Sequence, residues 1–139
     1  MTFEIINPEA LGAPRGWNNG MLGPTGGRIL LVAGQSAAGS DGSMPHGMAA
    51  QWERALEKIV SVVRAAGGAP TDIGRLTIYV TDVEAYRTGL RDIGAAYRRV
   101  MGTHFPAMAL LHVRGLLEPG ALVEIEATAW ITADAATES

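Results

Sequence analysis

The 139-residue sequence has no cysteine. That excludes a disulfide framework, a thiol nucleophile and a thiolate metal site. It also lacks a basic cluster: 11 Lys and Arg stand against 14 Asp and Glu, a net charge of -3. Nucleic-acid binding normally needs a basic face, so no nucleic-acid partner is expected. No apolar run approaches the roughly 20 residues of a membrane span. The start, Met1-Thr-Phe-Glu-Ile-Ile6, has neither the charged nor the apolar region of a signal peptide. These absences predict a soluble cytoplasmic protein without a membrane partner. His46, His104 and His112 are too scattered to suggest a metal site, and no glycine run has the phosphate-loop pattern. Neither a metal nor another cofactor is expected.

What is present is an ordinary globular composition, 47% apolar and 18% charged. The reading is one domain over residues 1–132, followed by a polar tail, 133–139, expected to fray. Phe3 to Ile6 is a short strand. Asn19-Gly20 and Gly26-Gly27 mark turns, and Met21-Leu22 between them reads as a strand stub making a hairpin into the buried strand Arg28 to Ala33. A helix from Met44 to Ala66 is predicted, capped by Ser43, with an apolar stripe through Met48, Trp52, Ala55, Ile59 and Val63. Ile73 to Val80 alternates as a half-buried strand. Thr81-Asp-Val-Glu84 has capping-box spacing and opens a second helix to Val100. Two closing runs, Ala107 to Val113 and Leu122 to Ile131, read as a hairpin across the reversal Glu118-Pro119-Gly120. In the last run Glu124 and Glu126 share one face and Val123, Ile125 and Ala127 the other.

The predicted order is β-β-β-α-β-α-β-β, an α+β fold with two amphipathic helices on one face of a mixed sheet. The strands are apolar on both sides, so the second sheet face must also be covered. Oligomerisation is the solution expected.

With these elements placed, the sequence resembles the Rid family (reactive intermediate deaminases, also YjgF or L-PSP) from about Asn7 to Ile131. The resemblance rests on Asn7-Pro8, Gly34-Gln35, Gln51, Ala66-Gly67, Tyr79-Val80-Thr81-Asp82, Tyr97, Phe105-Pro106-Ala107 and Val123-Glu124-Ile125-Glu126-Ala127. It implies a chorismate-mutase-like subunit, a homotrimer with sheets packed into a central barrel, and small-molecule clefts between subunits. It also implies cofactor-free hydrolysis of 2-imino or enamine acids to 2-keto acids and ammonia. In the family an arginine two residues after the motif proline clamps the substrate carboxylate, and the first glutamate of Glu-Ile-Glu positions water. An N-terminal aromatic residue and the Gly-Gln loop line the cleft.

Carried over, this makes Glu124 the catalytic residue and Trp17, Gly34, Gln35, Tyr97, Met108 and Leu110 the ligand-lining set. Met108 stands at the arginine position, Trp17 where tyrosine is usual, Gly94 where asparagine is frequent and Leu110 where cysteine is frequent. A thioether cannot neutralise a carboxylate, and an unpaired buried carboxylate costs several kcal/mol. The expectation is therefore a homotrimer whose cleft handles an imine, enamine or similar reactive metabolite without the usual clamp. If it is an enzyme, it is a cofactor-independent hydrolase. Arg15, beside Trp17, is the one nearby cation considered able to reach the cleft. A non-enzymatic small-molecule-binding or chaperone-like trimer is the alternative. A ribonuclease ranks below both, since a phosphate backbone calls for positive charge.

Read without the resemblance, each residue has a plainer role. Glu124 and Glu126 would be paired strand carboxylates, Met108 core filler, His112 a core or interface histidine, His46 and His104 solvated or capping groups, and Trp52 and Trp130 core or subunit contacts.

Overall fold

A computed structural model describes residues 3–132, so the tail expected to fray lies outside the described residues. Strands β1 (Glu4–Ile6) and β2 (Gly20–Leu22) form a separate antiparallel ribbon. The main sheet contains β3 (Arg28–Gln35), β4 (Ile73–Val80), β5 (Ala107–His112) and β6 (Val123–Ile131) in the order β3-β6-β4-β5. Helices α1 (Met48–Ala65), α2 (Val83–Thr88) and α3 (Leu90–Met101) accompany it. The mixed α+β fold is the one the strand and helix patterns predict.

Alternation decides the packing. In β6, Val123, Ile125, Ala127, Ala129 and Ile131 are buried, while Glu124, Glu126, Thr128 and Trp130 between them are half-buried. The buried face joins Leu76, Ile78 and Val80 of β4 and the α1 stripe of Trp52, Leu56, Ile59 and Val63 in one core. Each fully buried aliphatic side chain there contributes about 1.5–3 kcal/mol relative to exposure. Ile73 also turns inward, because the β4–β6 register shifts between Ile73 and Arg75.

The other face is open. Ile29, Leu31 and Leu111 are 58%, 77% and 43% exposed. The run expected to be a buried strand, β3, is therefore an edge strand with Val32 as its one buried residue.

Local predictions fail where partners decide. The Met21-Leu22 stub pairs with β1 rather than forming a hairpin with β3. The closing runs do not pair either, because β4 lies between them, parallel to β5 and antiparallel to β6. The reversal itself is present: Ala121 N–H donates to Glu118 O at 3.1 Å, and Gly120 takes φ +82°. A positive φ is the conformation glycine adopts without a steric penalty.

The first helix begins at Met48 with no side-chain cap. Ser43 instead closes a turn, its N–H bonded to Asp41 and its carbonyl to Gly39 N–H. Asp82, not Thr81, caps α2, accepting from Ala85 N–H at 2.9 Å. The second helix is broken at Gly89 into α2 and α3. Gln51, 3% exposed, ties α1 to the reversal: it donates to Pro45 O and Gly120 O and accepts from Leu122 N–H. No described helix is long and apolar enough to cross a membrane.

Candidate functional site

The residues singled out from sequence gather in two clefts. Met108 and Leu110 lie in register with Leu76 and Ile78, so they face the helices at the edge of the sheet. There the helical layer leaves a cavity of about 530 Å³. Trp17, Tyr97, Met108 and Leu110 line it together with Arg15, Trp52, Tyr86, Gly94, Arg98 and Phe105.

Its aromatic walls are ordered by their own contacts. Tyr97 and Phe105 stack at 5.2 Å, and Trp52 and Tyr86 at 5.6 Å, within the range of favourable ring pairs. The Tyr97 hydroxyl donates to His104 O at 2.6 Å, and burial pushes its pKa well above the usual tyrosine value. At neutral pH it is a fixed hydrogen-bond donor rather than a base.

Trp17 is 43% exposed and sits on a loop that could wander. Asparagines prevent this. Asn18 donates to Phe105 O at 2.6 Å, and its own N–H donates to Pro106 O. The Asn7 side-chain amide donates to the Asn18 side-chain oxygen Oδ1 at 2.8 Å and accepts from Asn19 N–H at 2.7 Å. Asn19 then accepts from the Trp17 indole N–H at 3.2 Å. From the sequence, Asn19 marks a turn and Asn7 belongs to a family motif, with no role implied for either side chain. The side-chain amides of Asn7, Asn18 and Asn19 fix the aromatic wall by bonding one another's chain segments and the sequence-distant Phe105 carbonyl.

Glu124 belongs elsewhere. It pairs across β6–β4 with Tyr79, on the open face. Met108 is on the helix face, so within one copy the two residues are on opposite sides of the sheet. Glu124 lines a second cleft of about 530 Å³ with Gly34, Gln35, Ser36, Lys58 and Leu117. A Cβ on Gly34 would lie 2.7 Å from Glu124 Oε2, so the carboxylate rests directly against the Gly34 backbone. Glu124 is half-buried and its carboxylate has no hydrogen-bond partner among the described residues. Lys58 holds the adjoining loop, donating to Ser36 O and Ala38 O, both at 2.8 Å. Gln35 turns its amide back onto Ala33 O at 3.1 Å.

Glu126 contrasts with Glu124. It accepts from the Tyr79 hydroxyl at 2.7 Å, and that bond raises the Tyr79 pKa. It is thus engaged within the fold. His104 bonds Ile73 O at 2.7 Å and stacks on Phe3, a structural role rather than a solvated one. His112, expected in the core or an interface, is exposed at the end of β5 and lines neither cleft. Arg15 does line the aromatic cleft, and so does Arg98, which sequence reading missed. Among the described residues no three His, Asp or Glu side chains are grouped as a metal would require.

Comparison with known proteins agrees with this architecture. A model of the endoribonuclease L-PSP family matches residues 9–131. A 2-iminobutanoate/2-iminopropanoate deaminase of Escherichia coli (strain K12) is 30% identical over 107 residues, covering 74% of this chain and 80% of the relative. A deaminase of the same name from Bos taurus is 30% identical over 104 residues, 73% of this chain and 72% of the relative. Among solved structures, a Rid-family protein of unknown function from Yersinia pestis superposes with a TM-score of 0.81 at 32% identity, covering 94% of this chain and all of the other. The YjgF gene product of E. coli gives a TM-score of 0.64 at 27% identity over 89% of this chain and 92% of that one. With the matched segment spanning nearly the whole domain and the fold shared throughout, the chain belongs to the Rid (YjgF/UK114) family.

Proposed function

We propose that this protein is a cofactor-independent hydrolase of imine- or enamine-type reactive metabolites, acting in a cleft completed between copies of a homotrimer. The observation that carries the reading is Glu124: a half-buried carboxylate with no bond to its oxygens among the described residues, set against Gly34 in a cleft. Such a group is free to take a proton from water and return it. An imine carbon is already electrophilic. Water adds to it, Glu124 accepts the water proton, and the resulting amino alcohol expels ammonia as the proton is delivered to nitrogen. The products are a carbonyl compound and ammonia, with no electron transferred. Orientation and one acid/base group suffice for that sequence.

Deaminase activity in relatives 30% identical supports the reaction class. Assembly is supported by the open sheet face, where Leu31 is 77% exposed in a single copy. Covering such a face is what a closed oligomer accomplishes. It is also supported by the separation of Met108 from Glu124, since two copies can bring the aromatic cleft of one to the carboxylate of the other.

The test supplies 2-imino acids generated in place by an amino-acid oxidase and follows their loss. Wild-type protein should accelerate hydrolysis, and Glu124→Gln should reduce the rate about 10²-fold or more while the melting temperature holds. No acceleration for small, branched or aromatic imines would reject the hydrolase, as would an unaffected Glu124→Gln variant. A monomeric mass at micromolar concentration would reject the assembly.

A further inference from the structure

We infer that the aromatic cleft selects 2-imino or 2-oxo acids with a bulky, preferably aromatic, side group, and that Arg98 holds their carboxylate in place of a cation at position 108. The inference rests on the proposed hydrolase reading for its biological sense, but it concerns binding and is tested by binding.

Charge is the first observation. Two guanidinium groups, Arg15 and Arg98, line this cleft, and no Asp or Glu does. Arg98 has no ion-pair partner among the described residues, whereas the next residue, Arg99, is held by Glu53 at 2.7 Å. An exposed guanidinium on the wall of a cavity without carboxylates is matched by an anion, and its planar fork fits a carboxylate with two hydrogen bonds.

Room is the second observation. Gly94 and Arg98 lie one turn apart on α3, on the same helix face. A Cβ on Gly94 would stand 3.4 Å from Arg98 Nη1 and 3.9 Å from Nη2. The guanidinium therefore lies across the glycine, in space that a longer side chain at 94 would occupy. The strand wall at Met108 thus has no cation, and the helix wall at Gly94 has the space for one.

The body of the ligand follows from the remaining walls. Trp17, Trp52, Tyr86 and Phe105 present rings, and Met108 and Leu110 present apolar ends. A cavity of about 530 Å³ falls in the roughly 300–1,000 Å³ range of sites for drug-sized molecules, more than a three-carbon acid fills.

The experiment titrates the full-length protein with phenylpyruvate, its methyl ester and pyruvate, read by calorimetry. Phenylpyruvate should bind at least tenfold more tightly than either of the others. Arg98→Gln should bring phenylpyruvate to the affinity of the ester and leave the ester unchanged. Arg98→Lys should restore part of the difference, since it keeps the charge and loses the fork. Arg98 is exposed on α3, so the substitution leaves the core intact, which circular dichroism checks. Equal binding of acid and ester, equal binding of pyruvate, no binding of phenylpyruvate, or an indifferent Arg98→Gln variant would each overturn the inference. Phenylpyruvate is a stable keto acid and needs no turnover. Tight, Arg98-dependent binding without imine hydrolysis would reject the hydrolase alone, and hydrolysis indifferent to Arg98 would reject the clamp alone.

Discussion

Replacing Gly34 by alanine should separate the stability of the protein from its chemistry. Gly34 lies where the β3–β6 register shifts, between Val32 and Gln35, and Glu124 packs onto its backbone. An added Cβ would meet Glu124 Oε2 at 2.7 Å, Cδ at 3.0 Å and Cγ at 3.3 Å, where ordinary contact begins at 3.4 Å. The carboxylate must retreat by about 0.7 Å, the shortfall at its nearest oxygen. The obstructed atoms are the end of a flexible side chain, so the fold accommodates the change. Alanine also restrains the unfolded chain, which offsets part of the crowding by about 0.4–1 kcal/mol. Net stability should change by less than about 1 kcal/mol. Catalysis is less forgiving, because a misplacement of about 1 Å can cost about 10²-fold in rate. A 10- to 100-fold fall in kcat/KM is expected in the imine assay, equivalent to about 1.4–2.7 kcal/mol of transition-state stabilisation. Combining Gly34→Ala with Glu124→Gln should add little to the loss from Glu124→Gln alone, since both act through one group. Unchanged turnover in the alanine variant, with a normal melting temperature, would refute the assignment of Glu124 as a positioned reactive group. Fully additive losses would mean that Gly34 acts by some other route.

Gln51→Leu should lower stability by about 2–4 kcal/mol, because Leu122 N–H and two carbonyls lose a buried partner together. A thermal melt should show a fall of about 10 °C, and a shift under about 2 °C would mean water replaces the amide readily. The Glu53–Arg99 pair makes a pH-dependent contribution. The hydrogen bonds from Arg99 hold the Glu53 carboxyl below the ordinary glutamate range. The pair is therefore fully stabilising above that range and loses its effect as pH falls through the lowered value. Urea midpoints of wild type and Arg99→Met should differ at neutral pH and converge in acid, below the ordinary glutamate range; a gap that widens in acid would reverse the sign.

The sequence made the helix–sheet alternation legible because a single face of each element packs in the core. In β6 the Val123, Ile125, Ala127 series is buried and the Glu124, Glu126, Thr128 series is not. Pairing was less legible, since a turn at Glu118-Pro119-Gly120 states that the chain reverses and not which strand it meets. The arrival of β4 between β5 and β6 depends on contacts distant in sequence. The break at Gly89 was hidden because Val83, Tyr86, Leu90, Ile93 and Tyr97 keep helical spacing across it. For the candidate site, Trp17 and Met108 could be placed from motif spacing, and they line one cleft. Arg98 could not, because a solvated arginine on an amphipathic helix carries no distinguishing signal until Gly94 is seen beneath it. That Glu124 and Met108 face opposite ways follows from residue parity once the register with β4 is known.

The same opposition of faces has a genetic consequence. If the working cleft joins the aromatic wall of one copy to the carboxylate of another, a defect in either half leaves the other half intact. Two impaired proteins, one carrying Arg98→Gln and the other Glu124→Gln, would then complement when dissociated and reassembled together. Random mixing in equal amounts leaves about a quarter of the clefts with both halves unaltered, and activity should return to about that fraction. The doubly altered clefts would fall in the same mixed oligomers as the intact ones, so a cell expressing both chains would keep activity that either chain alone lacks.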